Sequence, residues 1–323
     1  MTAPRAAVTE PGYVALQGGE ARIEVVPALG GRIRSLRLGG REWLVQGGAS
    51  SAPRSGVGAF AGAGWDECAP AAGACTVPEW VKGIGGRPVP AGGEARLQVP
   101  QVDLRTTPDG NRLACTWRGE RLPWTLTRTL LVRPDGAIEA RYEAVATGEQ
   151  RLPFLWSACM LMPLDDKTRL NLGDATRFRV QSIAGAASMG TATGSQQWPR
   201  LSVDGSSRDL SSPWQLPRKS MLTGWVDLAR TRTTMQVVQG DATLTITTDG
   251  EGVSHCGLMV DRAGVRAGAP RGIFSRGAAP AFALQPSLGA PDKFAEALGD
   301  WQAITWLVPG EARHWTMTLR AGA

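Results

Sequence analysis

The chain has 323 residues, 42% of them hydrophobic and 20% charged, a composition that excludes wholesale disorder. The formal net charge is +6, but Lys and Arg are spread along the chain without a cluster, so we expect no nucleic-acid partner. Gly and Pro, with 41 and 22 residues, favour a turn-rich β protein over a helical one.

The predicted elements are mostly short strands, because apolar and polar residues alternate along them. In residues 31–38, for example, arginines are interspersed with Ile and Leu, and a turn of two glycines follows. The predicted strands of the first half cover residues 21–26, 31–38, 42–45, 113–117, 124–132 and 137–145.

Tight turns predict how several strands are joined. Arg133–Gly136 is a strong turn signal and predicts a hairpin between the strands on either side of it. A second hairpin joins residues 235–238 to 242–248, and the last two strands, 301–307 and 314–319, lie on either side of Pro309 and Gly310. The best candidate for a helix is residues 291–298, stopped by Gly299.

Three long turn-rich stretches, residues 46–93, 182–220 and 261–281, interrupt the strands and are expected to carry function. Many antiparallel strands without a linker predict one domain over residues 1–323, with a flexible segment at residues 1–12. The predicted fold class is therefore all-β, a large antiparallel β-sandwich with very little helix.

The numbers of cysteines and histidines limit which disulfides and metal sites the chain can form. The five Cys are odd in number and lack CxxC spacing, and there are only two His, so we expect neither a disulfide framework nor a metal site, and no cofactor. No run of 18 apolar residues exists, and the first ten residues lack the apolar core of a signal peptide, so we expect no membrane span and a cytoplasmic protein. It is expected to be a monomer or a homodimer.

The segment of residues 62–70 holds the first candidate site. Asp66 and Glu67 are adjacent carboxylates beside Trp65 in a Gly-rich loop, and a carboxylate beside Trp can bind sugar hydroxyls or act as a base. Because neighbouring side chains of an extended segment point opposite ways, only one of the two carboxylates is expected to face a ligand.

Other candidates lie on predicted strands. Cys159 could be a nucleophile or a small core residue, and Gln285 ends an apolar strand, where a ligand could satisfy its amide. His255 is a stronger functional candidate than His314, whereas Asp292 is expected to cap the short helix. No Ser-His-Asp order, P-loop or dinucleotide fingerprint occurs, which argues against a serine hydrolase, an NTPase and a dinucleotide enzyme.

Short motifs occur in one order along residues 14–320. They are Val26-Pro-Ala-Leu-Gly-Gly-Arg-Ile-Arg-Ser-Leu36, Glu42-Trp-Leu44, Gly64-Trp-Asp-Glu-Cys-Ala-Pro70, Pro153-Phe-Leu-Trp156, Leu284-Gln-Pro286, Gly289-Ala-Pro-Asp292 and Leu307-Val-Pro-Gly-Glu311. Together they resemble the galactose mutarotase-like (aldose 1-epimerase) superfamily. The resemblance implies a large antiparallel β-supersandwich with a sugar-binding cleft on one face.

The catalytic positions of that family do not match this chain. The resemblance implies a C-terminal Glu as general base, and Gln285 stands in its place, although Gln cannot accept a proton at neutral pH. The two His positions of the family correspond to Cys159 and Gly92. Since the losses of acid and base each cost about 10² to 10⁴ in rate, ordinary mutarotation is not expected.

We therefore expect an epimerase-like protein that acts on a carbohydrate or a carbohydrate-like small molecule by proton transfer in the cleft. Asp66, Glu67 and His255 are the catalytic candidates. The substrate-binding candidates are Arg32, Trp65, Glu94, Trp156, Cys159 and Gln285. The alternatives are a repurposed cyclase, isomerase or lyase of secondary metabolism, favoured by the many Trp and Met residues, and a non-catalytic sugar-binding protein.

Overall fold

The computed structural model of the protein describes residues 5–9, 12–47, 63–173, 175–185, 194–203, 205–228, 232–250, 252–265 and 279–322. Within these ranges the chain forms 26 strands and one α-helix, α1 (Phe294–Leu298). The strands are β1 (Arg5–Thr9), β2 (Tyr13–Gly18), β3 (Ala21–Val26), β4 (Arg32–Leu38), β5 (Arg41–Glu42), β6 (Trp65–Cys68), β7 (Cys75–Thr76), β8 (Pro88–Val89), β9 (Gln101–Thr107), β10 (Gly110–Arg118), β11 (Trp124–Val132), β12 (Ile138–Ala146), β13 (Leu152–Phe154), β14 (Trp156–Pro163), β15 (Thr168–Asn171), β16 (Ala175–Ala184), β17 (Ser195–Gln197), β18 (Arg200–Val203), β19 (Ser206–Asp209), β20 (Met221–Leu228), β21 (Thr233–Gln239), β22 (Ala242–Gly250), β23 (Val253–Val265), β24 (Ala279–Leu288), β25 (Thr305–Leu307) and β26 (Ala312–Gly322).

The larger sheet has twelve strands. Its order is β1-β2-β3-β4-β6-β14-β24-β23-β20-β16-β17, and β5 pairs with β4 outside this path. Its neighbouring strands are antiparallel. Strands that are distant in sequence, such as β6, β14 and β24, therefore lie side by side at its centre, and the order brings residues from both halves of the chain together.

The second sheet has eight strands in the order β15-β21-β22-β26-β12-β11-β10-β9. Three further pairs are β13 with β25, β18 with β19, and β7 with β8. The two large sheets pack against each other through alternate residues. In β10, Leu113, Cys115 and Trp117 are buried in the core, while Thr116 between them is not. The predicted antiparallel β-sandwich is confirmed.

The turn-based predictions hold where the turn residues define the geometry. β11 and β12 form the predicted hairpin, in which the Arg133 N–H donates to the Ala137 carbonyl and the Asp135 carboxylate accepts from the Ala137 N–H. β21 and β22 also pair as predicted. Asp135 illustrates the cause: its side chain replaces a backbone acceptor in the turn.

Other elements differ from prediction. The strand expected at 42–45 ends at Glu42, and α1 begins only at Phe294. The predicted strand at 301–307 is shortened to β25, which pairs with β13, while β26 lies between β12 and β22. In the N-terminal segment, residues 5–9 form β1, which pairs with β2, and residues 1–4, 10 and 11 lie outside the described ranges.

Candidate active site

Strand β6 crosses the centre of the larger sheet between β4 and β14 and carries the first candidate residues. The segment predicted as a loop is a strand here, and all four of its residues are buried. Trp65 belongs to the core between the sheets, whereas Cys68 belongs to a separate apolar cluster on the other side. We call that other side, which points away from the second sheet, the outer face.

Glu67 points into the sandwich. Its Oε1 accepts hydrogen bonds from Arg128 Nη1 at 2.9 Å and from the Tyr142 hydroxyl at 3.1 Å, and its Oε2 accepts one from Trp156 Nε1 at 2.7 Å. Burial raises the pKa of Glu67, and the Arg128 guanidinium opposes that shift. Because its partners come from both sheets, Glu67 joins the two layers and does not face a cleft.

The two tryptophans expected to bind substrate share this interior position. Trp65 is fully buried in the core, and Trp156 packs between Tyr142 and Trp315, with ring centroids 4.6 and 4.8 Å away. An inward-pointing aromatic residue of a sandwich strand packs the core, so the structure places Trp65 and Trp156 among structural residues.

Asp66 lies on the outer face and is held by two guanidinium groups. Arg32 donates from Nε to Oδ1 at 2.7 Å and from Nη2 to Oδ2 at 2.9 Å, and Arg96 Nε lies 3.2 Å from Oδ2. Such a bidentate, charge-assisted pair orients a carboxylate firmly. Both carboxylate oxygens of Asp66 are therefore bound by arginines on the outer face, so Asp66 is not a free base.

Gly92 has no side chain where the resemblance implies a histidine, and Arg96 fills the space. A Cβ built at Gly92 would come within 2.8 Å of Arg96 Cδ and 2.9 Å of Arg96 Nη1. Arg96 in turn pairs with Asp66. The Arg96–Asp66 ion pair therefore lies directly beside Gly92.

The middle of the outer face is buried and mainly apolar. Cys68, Cys159, Leu161 and Met259 form its cluster, and Cys159 lies opposite Asp66 in the strand register. Burial raises the pKa of the Cys159 thiol well above its ordinary value, which disfavours the thiolate that a nucleophile needs. Gln285 is also buried on this face, beside Gly257.

A cavity of about 550 Å³ opens at the β16–β20–β23 side of the outer face. One cross-strand row supplies Arg177 from β16, Asp227 from β20 and His255 from β23. His255 Nε2 lies 3.5 Å from Asp227 Oδ1. The rest of the lining comprises Arg179, Gly194, Ser195, Ser254, Gly289 and residues 301–305.

The ring of His255 has a polar partner on each nitrogen. Ser254 Oγ lies 2.7 Å from Nδ1, and the Asp227 carboxylate lies near Nε2. Burial lowers the pKa of His255, while the negative charge of Asp227 opposes that shift. The imidazole is therefore neutral near pH 7 and able to accept a proton, and the Asp227 carboxylate would stabilise the resulting imidazolium.

Asp292 is a carboxyl group with a pKa near neutrality. Burial is the main cause that raises its pKa to about 6; a hydrogen bond from Gln181 opposes the shift, and the negative charge of Glu296 adds to it. The same Gln181 accepts a hydrogen bond from Trp225 Nε1 at 3.0 Å. Asp292 does not cap α1 as predicted, because the N-cap is Lys293 without a side-chain hydrogen bond. It lies on the segment between β24 and β25, of which Gly289 and residues 301–304 line the cavity while Asp292 itself does not.

Glu94 lies elsewhere. Its Oε2 accepts hydrogen bonds from the backbone N–H groups of Glu120 and Arg121, at 2.9 and 3.4 Å, in the connection between β10 and β11. Glu94 lines a different cavity, of about 640 Å³, with Arg118 and Leu97. The structure therefore separates Glu94 from the other predicted site residues.

Of the residues predicted for the site, the structure places His255, Arg32, Asp66, Cys159 and Gln285 on one face. Sequence reasoning missed Asp227, Arg177 and Arg179 because their proximity to His255 depends on strand pairing across the larger sheet. The alternation of residues 221–228 indicated the side of the strand on which Asp227 lies, but not which residues are its neighbours. Within the described ranges, no three His, Cys, Asp or Glu side chains are arranged to hold a metal ion.

Comparisons with known proteins agree with the fold. No family model and no curated protein matches the chain. Solved structures do. The Slr1438 protein of Synechocystis sp. PCC 6803 matches with a TM-score of 0.68 and 15% sequence identity, over 97% of this chain and 96% of that one. Galactose 1-epimerase of Lactobacillus acidophilus NCFM matches with a TM-score of 0.66 and 11% identity, over 99% of this chain and 98% of that one. A galactose mutarotase related enzyme of Lactobacillus acidophilus also matches, with a TM-score of 0.63 and 12% identity, over 96% of this chain and 97% of that one.

These matches cover nearly the whole of both chains, so the protein has a galactose mutarotase-like β-sandwich fold. At such identities the likeness concerns the fold and carries no residue roles. Among the described residues, no helix has the length and hydropathy needed to cross a bilayer.

Proposed function

We propose that the protein is an epimerase-like enzyme that moves protons on a carbohydrate or carbohydrate-like small molecule in the outer-face cavity. The observation that carries the proposal is the pair of His255 and Asp227, 3.5 Å apart, lining a cavity of about 550 Å³. A cavity of this size suits a small ligand with a few polar anchors.

Two groups supply the proton transfers. Neutral His255 accepts a proton from a hydroxyl of the ligand, and Asp227 stabilises the imidazolium cation that forms. The candidate proton donor is Asp292, which follows Gly289 of the cavity lining by three residues and has a pKa of about 6. This assignment replaces the expected base: Asp66 is engaged by Arg32 and Arg96, and Glu67 is enclosed by the core.

The direct test is anomeric exchange followed by proton NMR with glucose and galactose, against a buffer blank. Loss of the family's own acid and base argued against ordinary mutarotation, but with His255 and Asp292 in their place the expected result is exchange well above the blank, reduced about 10² to 10⁴ in His255→Gln. The matched control is His314→Gln, since His314 is largely exposed on the second sheet and should not matter. Exchange equal to the blank in the wild-type protein would contradict the proposal.

The pH profile tests the assignment of the proton donor. If Asp292 donates, the exchange rate should fall about tenfold per pH unit above pH 6, as its carboxyl loses the proton. Asp292→Asn should remove that descending limb together with most of the rate. A profile that is flat from pH 6 to 8 would exclude Asp292 from this role.

A buried apolar cluster on the outer face favours a second candidate, a repurposed enzyme whose substrate is less polar than a free sugar. Cys68, Cys159, Leu161 and Met259 form this cluster, and each is at most 4% exposed. Absence of both exchange and ligand line-broadening with all sugars tested would favour this candidate. Line-broadening without exchange would favour a non-catalytic sugar-binding protein.

A further inference from the structure

We propose that Ser254 is a nucleophile and that the protein has a second activity, the hydrolysis of small esters through a Ser254–His255–Asp227 triad. Ser254 Oγ lies 2.7 Å from His255 Nδ1, and His255 Nε2 lies 3.5 Å from Asp227 Oδ1. All three residues line the same cavity. Pairing of β20 with β23 thus brings together a set whose absence from the linear order of the sequence argued against a serine hydrolase. The inference goes beyond the proposed sugar chemistry, which does not require a nucleophile.

A local irregularity of β23 explains how adjacent residues serve one site. In a regular strand Ser254 and His255 would point to opposite faces of the sheet. The register with β24 shifts between Val253 and His255, and such a bulge re-aims a side chain. Ser254 and His255 therefore both line the cavity, although they are neighbours in sequence.

The chemical requirements of a nucleophilic serine are present. A serine hydroxyl becomes reactive when an adjacent base removes its proton and a third group orients that base. His255 is neutral near pH 7, because burial lowers its pKa, and Asp227 faces the other ring nitrogen. The two ring nitrogens have exchanged roles relative to the usual triad, which leaves the proton path intact.

The reaction balances without a cofactor. Ser254 Oγ forms a bond to the ester carbonyl carbon as its proton passes to His255 Nδ1, and the bond between that carbon and the alkoxy oxygen breaks. The leaving alcohol takes the proton from His255. Water then gives a proton to His255, attacks the acyl group, and releases the acid with the return of the proton to Ser254.

Two arginines indicate the class of ester. Arg177 and Arg179 line the cavity from β16, and Arg177 lies opposite Asp227 in the strand register. The Arg179 guanidinium stacks on Trp301, 4.1 Å from the ring centroid, and donates to the Asp300 carbonyl at 3.1 Å. Because guanidinium groups bind carboxylate and phosphate oxygens well, the favoured substrate is a small ester that carries a negative charge.

Covalent labelling tests the nucleophile directly. The full chain is treated with a fluorophosphonate, which modifies activated serines, and the labelled residue is located by mass spectrometry. The expected result is one phosphonate per chain, on Ser254, with no label in Ser254→Ala. Ser182→Ala, an exposed serine of β16 outside the cavity, is the matched control and should label like the wild type.

Hydrolysis of p-nitrophenyl acetate and of p-nitrophenyl hemisuccinate tests the activity and the substrate class. His255→Gln should slow both labelling and hydrolysis by about 10² to 10⁴, and His314→Gln should not. The anionic hemisuccinate should be the better substrate, and that preference should disappear in Arg177→Gln/Arg179→Gln. Circular dichroism confirms that each variant is folded.

Three outcomes would overturn the inference: no label on the wild-type protein, a label on another residue, or labelling of Ser254 that is unchanged in His255→Gln. An equal rate for the two esters would overturn the assignment of the substrate class. Because the covalent label is read without any sugar, this result is independent of the anomeric-exchange assay.

Discussion

Asp292 shows how burial sets the chemistry of a side chain in this protein. From sequence it is a helix cap, yet in the structure it is a partly buried carboxyl with a pKa of about 6, hydrogen-bonded by Gln181. Cys159 shows the opposite result of the same cause, because burial raises its thiol pKa and suppresses reactivity. At this scale, desolvation decides which titratable groups can act near neutral pH.

The raised pKa of Asp292 predicts a pH-dependent cost in stability. A group with a folded-state pKa above its ordinary 3.8 favours the folded state at low pH, and that contribution is lost as pH rises through about 6. Asp292→Asn should therefore raise the free energy of unfolding by about 1–2 kcal/mol at pH 8, after allowance for solvent screening. The gain should vanish at about pH 4 in urea titrations; an equal gain at both pH values would contradict this account.

Strand β23 shows how one element organises the outer face. Its register shift at Val253 places Ser254 and His255 in the cavity, and Gly257, two residues later, lies between Trp225 and Gln285. A Cβ at Gly257 would come within 3.0 Å of the Trp225 ring and 3.1 Å of Gln285 Cβ. The absence of a side chain thus lets the indole lie across the strand and reach Gln181.

Gly257→Ala should consequently displace Trp225 and lower the free energy of unfolding by about 1–3 kcal/mol, the usual cost of overpacking. The fluorescence of Trp225 should also change as its hydrogen bond to Gln181 is disturbed. Gly322→Ala in β26 is the control, since a Cβ there would have no neighbour closer than 3.6 Å. Equal denaturant midpoints for the two variants would show that Gly257 has no packing role.

A buried ion pair between Arg128 and Glu67 connects the two large sheets. Arg128 occupies an inward position of β11, where an apolar residue is usual, and it pairs with Glu67 of β6 in the opposite sheet. It also donates to the Gly31 carbonyl at 2.7 Å. An isolated buried charge would cost several kcal/mol, so the two layers can pack closely only when both partners are present.

Arg128→Met should lower the free energy of unfolding by about 3–5 kcal/mol, because it leaves the Glu67 carboxyl without its cation. The double variant Glu67→Gln/Arg128→Met should lose less than the sum of the single variants, which a double-mutant cycle in urea would measure. Arg105→Met removes one partner of the exposed pair with Asp103, and should cost less than about 1 kcal/mol. Strict additivity of the buried pair would contradict the proposed link.

Local alternation and turn residues were enough to predict strands β3, β4, β10–β12, β21, β22 and β26, the hairpin of β11 and β12, and the sandwich fold class. Residue chemistry also singled out His255, Asp66 and Gln285 as site candidates. The position of Glu67 in the core and the meeting of Ser254, His255 and Asp227 in one cavity became visible only in the folded chain. The physical reason is that strand pairing and bulges, which no local pattern encodes, set which side chains of a sheet become neighbours.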